Sequence, residues 1–150
     1  MTPRMDDAEL RERNIGIVNR YIDAINRSDL ETQRQLFAED AIFEMPYAPA
    51  GLERRFVGRH EILAFLETVP TLTDAENLHD IRLETYHSDP GQIVAEYRSD
   101  MVIKPTNAPY RNEYVSRFTV RDGRITRFAE YYDPIRLVVA LGGSVRTRGD

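Results

Sequence analysis

One residue in this sequence whose type and setting could support chemistry is Glu130, which lies near the end of a segment that alternates like a β-strand. Phe128 and Tyr132 stand two residues to either side, so they share its face of the strand. A carboxyl group held in such an apolar wall has a raised pKa, which suits a group that takes up and returns protons near neutral pH. The alternative is a structural ion pair with a nearby arginine such as Arg98.

The turn before this strand decides which way Glu130 points. Asp122-Gly123 is a strong signal for a β-hairpin. If residues 121–123 form a three-residue loop with a bulge, Glu130 falls opposite Tyr114. The face that it then joins holds Asn112, Tyr114 and Ser116. A two-residue turn places it on the other face instead, and both registers stay open. That other face holds Glu113, Val115 and Arg117.

The three histidines do not form a metal-binding pattern. His60-Glu61 begins like the helix motif of zinc proteases, but the position four residues after His60 is Ala64, so the second ligand is missing. Glycine-rich nucleotide-binding patterns are also absent from the sequence. We therefore predict no metal site and no nucleotide site.

Composition narrows the class of protein further. The 150 residues include no cysteine, which excludes disulfides. Their formal net charge of −5 argues against binding to nucleic acid. The sequence has no apolar run long enough to span a bilayer, and its first residues lack the apolar core of a signal peptide. We expect a cytoplasmic protein with no membrane partner.

Hydrophobic periodicity places the elements that must position Glu130. Apolar residues at three- and four-residue steps predict a first helix, with Tyr21 at the edge of its stripe. The stripe consists of Ile15, Val18, Ile22 and Ile25. The spacing of Ser28 and Glu31 predicts a capping box that starts a second helix. A strand over residues 41–45, a loop or lid over 46–58, and a third helix ending before Pro70 follow.

The second half reads almost entirely as strand. Four segments alternate and are separated by turn signals, and a short helix over residues 135–141 follows them. The strand segments are residues 78–87, 92–104, 110–120 and 124–132. The prediction is one α+β domain over residues 1–150, with an ordered core of about 8–141 and a loose tail over 144–150. A long helix lying across a bent, mainly antiparallel sheet would leave a conical hollow for a ligand.

The sequence resembles the nuclear transport factor two-like superfamily, which includes ketosteroid isomerase-like and SnoaL-like proteins. The resemblance covers nearly the whole chain and rests on two stretches, residues 20–41 (from Arg20-Tyr21-Ile22-Asp23 to Phe37-Ala38-Glu39-Asp40-Ala41) and residues 112–135 (from Asn112-Glu113-Tyr114 to Glu130-Tyr131-Tyr132-Asp133-Pro134-Ile135). It implies a cone-shaped, cystatin-like roll, and members are commonly homodimers that pair through the outer face of the sheet. The fold hosts many activities, so it does not specify one.

The comparison with ketosteroid isomerases carries over only in part. Tyr21 matches their catalytic tyrosine, but the general-base aspartate falls at Met45 and the protonated aspartic acid falls near Ser116. Methionine cannot accept a proton from carbon, so steroid isomerisation by that route is not expected.

The comparison with phenazine-biosynthesis A/B proteins and small polyketide cyclases implies an acid/base role for Glu130. These proteins are the nearest in motif. The phenazine proteins place a partner histidine on the third helix, where this sequence has Phe65 or its neighbours. That departure argues against the phenazine-type condensation itself.

A third comparison is with limonene epoxide hydrolase, whose Asp-Arg-Asp arrangement activates water. It implies a similar role for Arg98, Asp100 and Glu130, since Arg98 and Asp100 share one face of a strand. The residues that help to hold its water appear here as Ile42 and Glu44. An ordinary cross-strand charge pair is the alternative for Arg98 and Asp100.

Three functional hypotheses follow from these comparisons. The first is a cofactor-independent cyclase, isomerase or dehydratase that acts on a small hydrophobic or cyclic molecule, with Glu130 as acid/base and Tyr21 as a hydrogen-bond donor. In this hypothesis the ligand-contacting residues are Phe43, Tyr47, Asn112, Tyr114, Ser116 and Phe128. The second is a protein that binds such a ligand without catalysis. The third is epoxide hydrolysis through Arg98, Asp100 and Glu130.

Overall fold

The computed structural model describes residues 4–149, which form four helices and six strands. The helices are α1 (Asp7–Asn26), α2 (Leu30–Leu36), α3 (Arg59–Leu72) and α4 (Pro134–Ala140). The strands are β1 (Phe37–Glu44), β2 (Arg55–Val57), β3 (His79–Tyr86), β4 (Asp89–Ile103), β5 (Ala108–Arg121) and β6 (Arg124–Tyr132). This is the expected α+β architecture, in which helices cover one face of a curved, open sheet.

The six strands form one sheet in the order β2-β1-β6-β5-β4-β3. Strands β3 to β6 form an antiparallel meander, and β1 joins its edge parallel to β6, so the sheet is mixed and mainly antiparallel. The short strand β2 lies within the segment predicted as a loop or lid and pairs antiparallel with β1. Along most of the two long strands β4 and β5, buried residues alternate with half-buried or exposed ones, which gives the sheet a helix-covered face and an outer face.

Helix α1 lies across the covered face because its apolar stripe needs a surface on which to bury. Asp6 starts the helix with a capping box, in which Asp6 and Glu9 each accept a hydrogen bond of 2.9 Å from the other's backbone amide. Val18 and Ile22 are almost completely buried and belong to the main core with Ile62 of α3. The core therefore lies between the sheet and these two helices.

The β5–β6 hairpin has the two-residue turn of one register considered from the sequence and the side-chain alternation of the other, but a pairing that neither predicted. Asp122 and Gly123 form a two-residue turn with φ of 50° and 77°, as a type I′ hairpin requires, and Arg121 pairs with Arg124. The register then shifts by one residue between Val120 and Thr119, so that a bulge restores the other alternation. Glu130 therefore joins the face of Asn112, Tyr114 and Ser116, but its partner is Ser116 and not Tyr114, which pairs with Tyr132.

Three local predictions were wrong at element ends. Asp29, not Ser28, caps α2 by accepting a 3.0 Å hydrogen bond from the amide of Thr32, because Ser28 adopts a left-handed φ of 52°. Pro70 lies inside α3, which continues to Leu72. The turn before β4 falls at residues 87–88, so residues 89–91 begin the strand.

The ends of the chain add no further element. Residues 144–149 contain neither helix nor strand and are exposed, while Asp150 lies outside the described residues. None of the helices in residues 4–149 combines the length and apolar character that crossing a membrane requires.

Two glycines should respond in opposite directions to alanine. Gly16 lies within α1 and its added Cβ would meet nothing within 4 Å, so Gly16→Ala should raise the free energy of unfolding by about 1 kcal/mol. Gly123 has a φ of +77°, so Gly123→Ala should lower it by about 1 kcal/mol through backbone strain. Urea denaturation measures both, and changes of the same sign would contradict this account of the turn.

Candidate active site

An inner cavity of about 100 Å³ lies between the sheet, α1 and α3. Its wall is mostly apolar and aromatic, and two carboxyl groups interrupt it, those of Glu76 and Glu130. The aromatic side chains in the wall are Tyr21, Phe43, Phe65, Tyr97 and Phe128. A hollow of this type is where a ligand is expected in such a fold.

Glu130 projects from β6 into this cavity and accepts a hydrogen bond of 2.6 Å from the hydroxyl of Tyr97. Burial raises the pKa of Glu130 to about 7, because an ionised carboxylate is poorly solvated there, and the Tyr97 hydrogen bond opposes this rise. The group therefore divides between acid and carboxylate near neutral pH, as a proton-transfer group must.

Tyr97 connects Glu130 to a second hydroxyl. The oxygen of Tyr97 lies 2.8 Å from Oγ of Ser116, and since Tyr97 gives its only hydroxyl proton to Glu130, Ser116 is the donor in that contact. Ser116 is completely buried. A chain of two hydroxyl groups therefore fixes the carboxylate and strengthens the final hydrogen bond.

Glu76 is the second carboxyl of the site and belongs to the segment between α3 and β3. Burial raises the pKa of Glu76 to about 8, and the negative charge of Glu130 adds to the rise. Glu76 therefore keeps its proton to a higher pH than Glu130 does.

A larger outer cavity of about 400 Å³ continues from the inner one. The two share Met45, Phe65, Val69, Glu76, Leu78 and Glu130 in their walls. Apolar side chains from α3, α4 and β4 complete the outer cavity, among them Leu72, Leu137 and Met101. Glu130 and Glu76 therefore stand where a small inner space meets a larger apolar one.

The tyrosines of the site are hydrogen-bond donors and not bases. Burial raises the pKa of Tyr21, Tyr97 and Tyr114 well above the ordinary value of a phenol, and the charge of Glu130 adds to the rise. Each phenol consequently keeps its proton throughout the range in which the two glutamates titrate.

Four of the residues expected at the site line these cavities together with Glu130. Tyr21, Phe43 and Phe128 line the inner cavity, and Tyr114 lines the outer one. The ring of Tyr21 packs edge to face against Phe128, with centroids 5.4 Å apart. Met45, at the position that resembles the isomerase base, is buried and lines both cavities, so no proton acceptor stands there.

Asn112 and Ser116 are buried on the covered face but lie behind the cavity walls. The amide group of Asn112 donates to the hydroxyl of Tyr110 at 2.8 Å and to the carbonyl oxygen of Asp133 at 2.9 Å, which ties β5 to the start of α4. Ser116 supports Tyr97. Neither contacts the cavity directly, so both are supporting residues where ligand contacts were expected.

Tyr47 does not reach the cavity either. It is 58% exposed, and its ring meets that of Tyr131 edge to face at 5.2 Å. The expectation that Tyr47 lines a cavity is wrong, because the segment after β1 carries its ring to the outside of the sheet.

Arg98 and Asp100 lie on the outer face of β4, away from Glu130. Their side chains are 58% and 46% exposed, and each pairs across the strands, Arg98 with Glu113 at 3.5 Å and Asp100 with Arg111 at 3.2 Å. The expected Arg98-Asp100-Glu130 arrangement does not form, because side chains alternate along β4 and it is Tyr97 and Ser99 that face the covered side.

Sequence reasoning missed two functional candidates, Tyr97 and Glu76. The alternation of β4 could have identified Tyr97, since Ile93, Ala95 and Met101 share its face and all are buried. No periodic pattern surrounds Glu76, because it lies in an irregular connection. Only the tertiary structure brings it to the cavity.

The family model for the SnoaL-like domain matches residues 18–128. The chain belongs to the SnoaL-like family. A PhzA/B-like protein of Pseudomonas aeruginosa is 32% identical to this SnoaL-like protein over 108 residues, which cover 72% of this chain and 75% of that one. The resemblance to the nuclear transport factor two-like superfamily, and within it to PhzA/B-like proteins, is thereby confirmed.

Two solved structures share the whole architecture. A candidate isomerase from Bacillus subtilis superimposes with a TM-score of 0.83 and 26% identity, covering 95% of this chain and 100% of that one. A candidate polyketide cyclase from Xanthomonas campestris gives a TM-score of 0.77 and 27% identity, covering 88% and 98%. The predicted α+β fold is confirmed.

The raised pKa of Glu130 makes stability depend on pH in a defined direction. The folded state holds the proton of Glu130 up to about pH 7, while the unfolded state releases it near 4.5, so the free energy of unfolding falls as the pH rises between these values. Glu130→Gln removes this dependence. The free energy of unfolding of the variant, minus that of wild type, should rise by about 3 kcal/mol between pH 4.5 and pH 8. Urea denaturation at the two pH values measures this difference.

The exposed Glu67→Gln change on α3 is the matched control for this prediction. Its difference from wild type should stay the same at both ends of the pH range. A Glu130→Gln difference that is equally constant would contradict the buried environment assigned to Glu130.

Proposed function

We propose that this SnoaL-like protein catalyses a cofactor-independent proton transfer on a small apolar or cyclic substrate, as in an isomerase, cyclase or dehydratase reaction. The observation that carries the proposal is the Glu130 carboxyl group, held at the junction of two apolar cavities by the 2.6 Å hydrogen bond from Tyr97. A carboxyl with a pKa of about 7 can act as a base and then as an acid within one reaction.

The proposed reaction suits a substrate whose carbon–hydrogen bond is activated by a neighbouring carbonyl group. The carboxylate of Glu130 removes that proton, the electron pair moves onto the carbonyl oxygen, and the protonated Glu130 returns the proton to carbon or to a leaving oxygen. Tyr21 lines the same inner cavity and keeps its phenol proton, so it is the proposed donor to the developing oxyanion.

Tyr97 is proposed as a positioning residue that acts through Glu130. Its hydroxyl stabilises the carboxylate form, and Ser116 fixes that hydroxyl from behind. The alternative function, ligand binding without catalysis, uses the same cavities. Measurement of proton transfer separates the two functions.

The expected homodimer stays a proposal. Its interface would be the outer face of the sheet, where Val115 is 47% exposed between charged neighbours on β5.

Exchange of the α-protons of β-tetralone in heavy water tests the proposal, because this cyclic ketone has weakly acidic carbon–hydrogen bonds and is small enough for the outer cavity. We expect wild-type protein to accelerate exchange, measured by NMR, and Glu130→Gln to lower the rate by about 100-fold or more while binding is kept. The control Glu67→Gln should exchange like wild type. Equal rates in Glu130→Gln and wild type would refute the role of Glu130, and saturable binding without accelerated exchange would favour the binding protein.

Tyr97→Phe should change the pH dependence of this exchange. Removal of the hydroxyl donor destabilises the carboxylate, so the pKa of Glu130 rises and the midpoint of the rate increase moves to higher pH by about one unit. Ser116→Ala should move it less, in the same direction. The control Tyr131→Phe lies on the outer face of β6 and should leave the midpoint unchanged. A lower rate with an unmoved midpoint would mean that Tyr97 contributes packing alone.

A further inference from the structure

Within residues 4–149, the cavity walls carry acidic side chains but no basic ones. Glu76 and Glu130 line both cavities, and Glu53 lines the outer one. Of the described residues that line either cavity, none is lysine, arginine or histidine. The charge of Arg54 acts to lower the pKa of Tyr132, but Arg54 is not part of either wall. The acids of the site therefore have no protein cation to neutralise them.

Glu76 differs from Glu130 in having no fixed partner. Its carboxyl group makes no hydrogen bond within residues 4–149, whereas Glu130 is held by Tyr97. Glu76 is half-buried and lines both cavities. A half-buried carboxyl without a partner is poorly solvated when it is ionised, so a cationic group that enters the cavity and neutralises it would bind favourably.

The aromatic composition of the walls favours the same class of ligand. Phe65 lines both cavities, Tyr21 and Tyr97 line the inner one, and Tyr110 and Tyr114 line the outer one. The faces of such rings attract organic cations, and quaternary ammonium groups are commonly bound by several rings together. An ammonium group attached to an apolar body would meet rings and a carboxylate in the same space.

We propose that the ligand of this cavity carries a protonated tertiary amine or a quaternary ammonium group, which Glu76 and the aromatic rings of the cavity walls bind. The amine would be anchored at Glu76 while the apolar body of the ligand lies in the outer cavity and its reacting carbon faces Glu130. This inference rests on the proposed function, since it names the class of substrate for the same site. Its test measures equilibrium binding through a different residue, so the two proposals fail separately.

The affinity for such a ligand should depend on pH. The titratable groups that face Glu76 across the cavities are Glu130 on β6, Tyr21 on α1, Tyr97 on β4, Tyr110 and Tyr114 on β5, Tyr132 on β6 and Glu53 before β2. The phenols keep their protons, so the glutamates supply the change in charge. Because the pKa values of Glu130 and Glu76 are raised to about 7 and 8, a cation should bind more tightly as the pH rises through this range.

Binding of choline and of its neutral isostere 3,3-dimethylbutan-1-ol, followed by NMR titration, tests the proposal. At about pH 9 wild-type protein should bind choline about tenfold more tightly than the isostere, and at about pH 6 this preference should largely disappear. Glu76→Gln should reduce the affinity for choline to that for the isostere at high pH. Its unchanged affinity for the isostere would show that the cavity has kept its shape, and Glu67→Gln should behave like wild type.

Three results would overturn the proposal. These are equal affinities for the two probes at high pH, a preference for choline that persists in Glu76→Gln, and absence of choline binding at the highest concentration reached. The β-tetralone exchange of wild type and Glu130→Gln reports on the proposed function independently, because neither ketone binding nor proton transfer requires a charge on Glu76.

Discussion

The pairing of β5 with β6 decides that Glu130, the group on which the candidate chemistry depends, faces the cavity side of the sheet. A slip of one residue in a β-pair moves each side chain to the opposite face of the sheet. The bulge after the Asp122-Gly123 turn makes that shift once, so Glu130 stands opposite Ser116 on the covered face. Phe128 and Tyr132 follow the same alternation and form the walls beside it. The register of this hairpin therefore fixes the buried wall residues and Glu130 together, so a change of register would displace both.

The electrostatics of the site follow from this placement. Burial makes the carboxylate of Glu130 costly, and the hydrogen bond from Tyr97 makes it less costly. The balance leaves the pKa of Glu130 at about 7, between that of a fully solvated carboxyl and that of an unpaired buried one. Glu76 lacks such a donor and has the higher pKa of the two. In the same apolar surroundings, Glu130 is therefore held by a hydrogen bond, while Glu76 is available to a ligand.

Most of the fold could be predicted because it depends on local patterns that repeat. The apolar stripe of α1, the alternation of the last strands and the Asp122-Gly123 turn each specify an element within a few residues. Element ends were less predictable, as the position of Pro70 inside α3 shows, since tertiary contacts there override local propensity. Arg98 and Asp100 were rightly placed on one face of a strand, but a strand has two faces and their own alternation does not say which is covered.

The sequence by itself determined the family and the α+β layers, because these depend on residue types and on spacing along the chain, and the resemblance to the family then implied Glu130 as the acid to test. Only the tertiary structure decided which acids and hydroxyls meet. Tyr97 reaches Glu130 from two strands away, and Glu76 comes to the same cavity from an irregular connection. Such encounters depend on the curvature of the sheet and on a single bulge. Neither leaves a periodic signal in the sequence, so these contacts cannot be predicted from residue patterns.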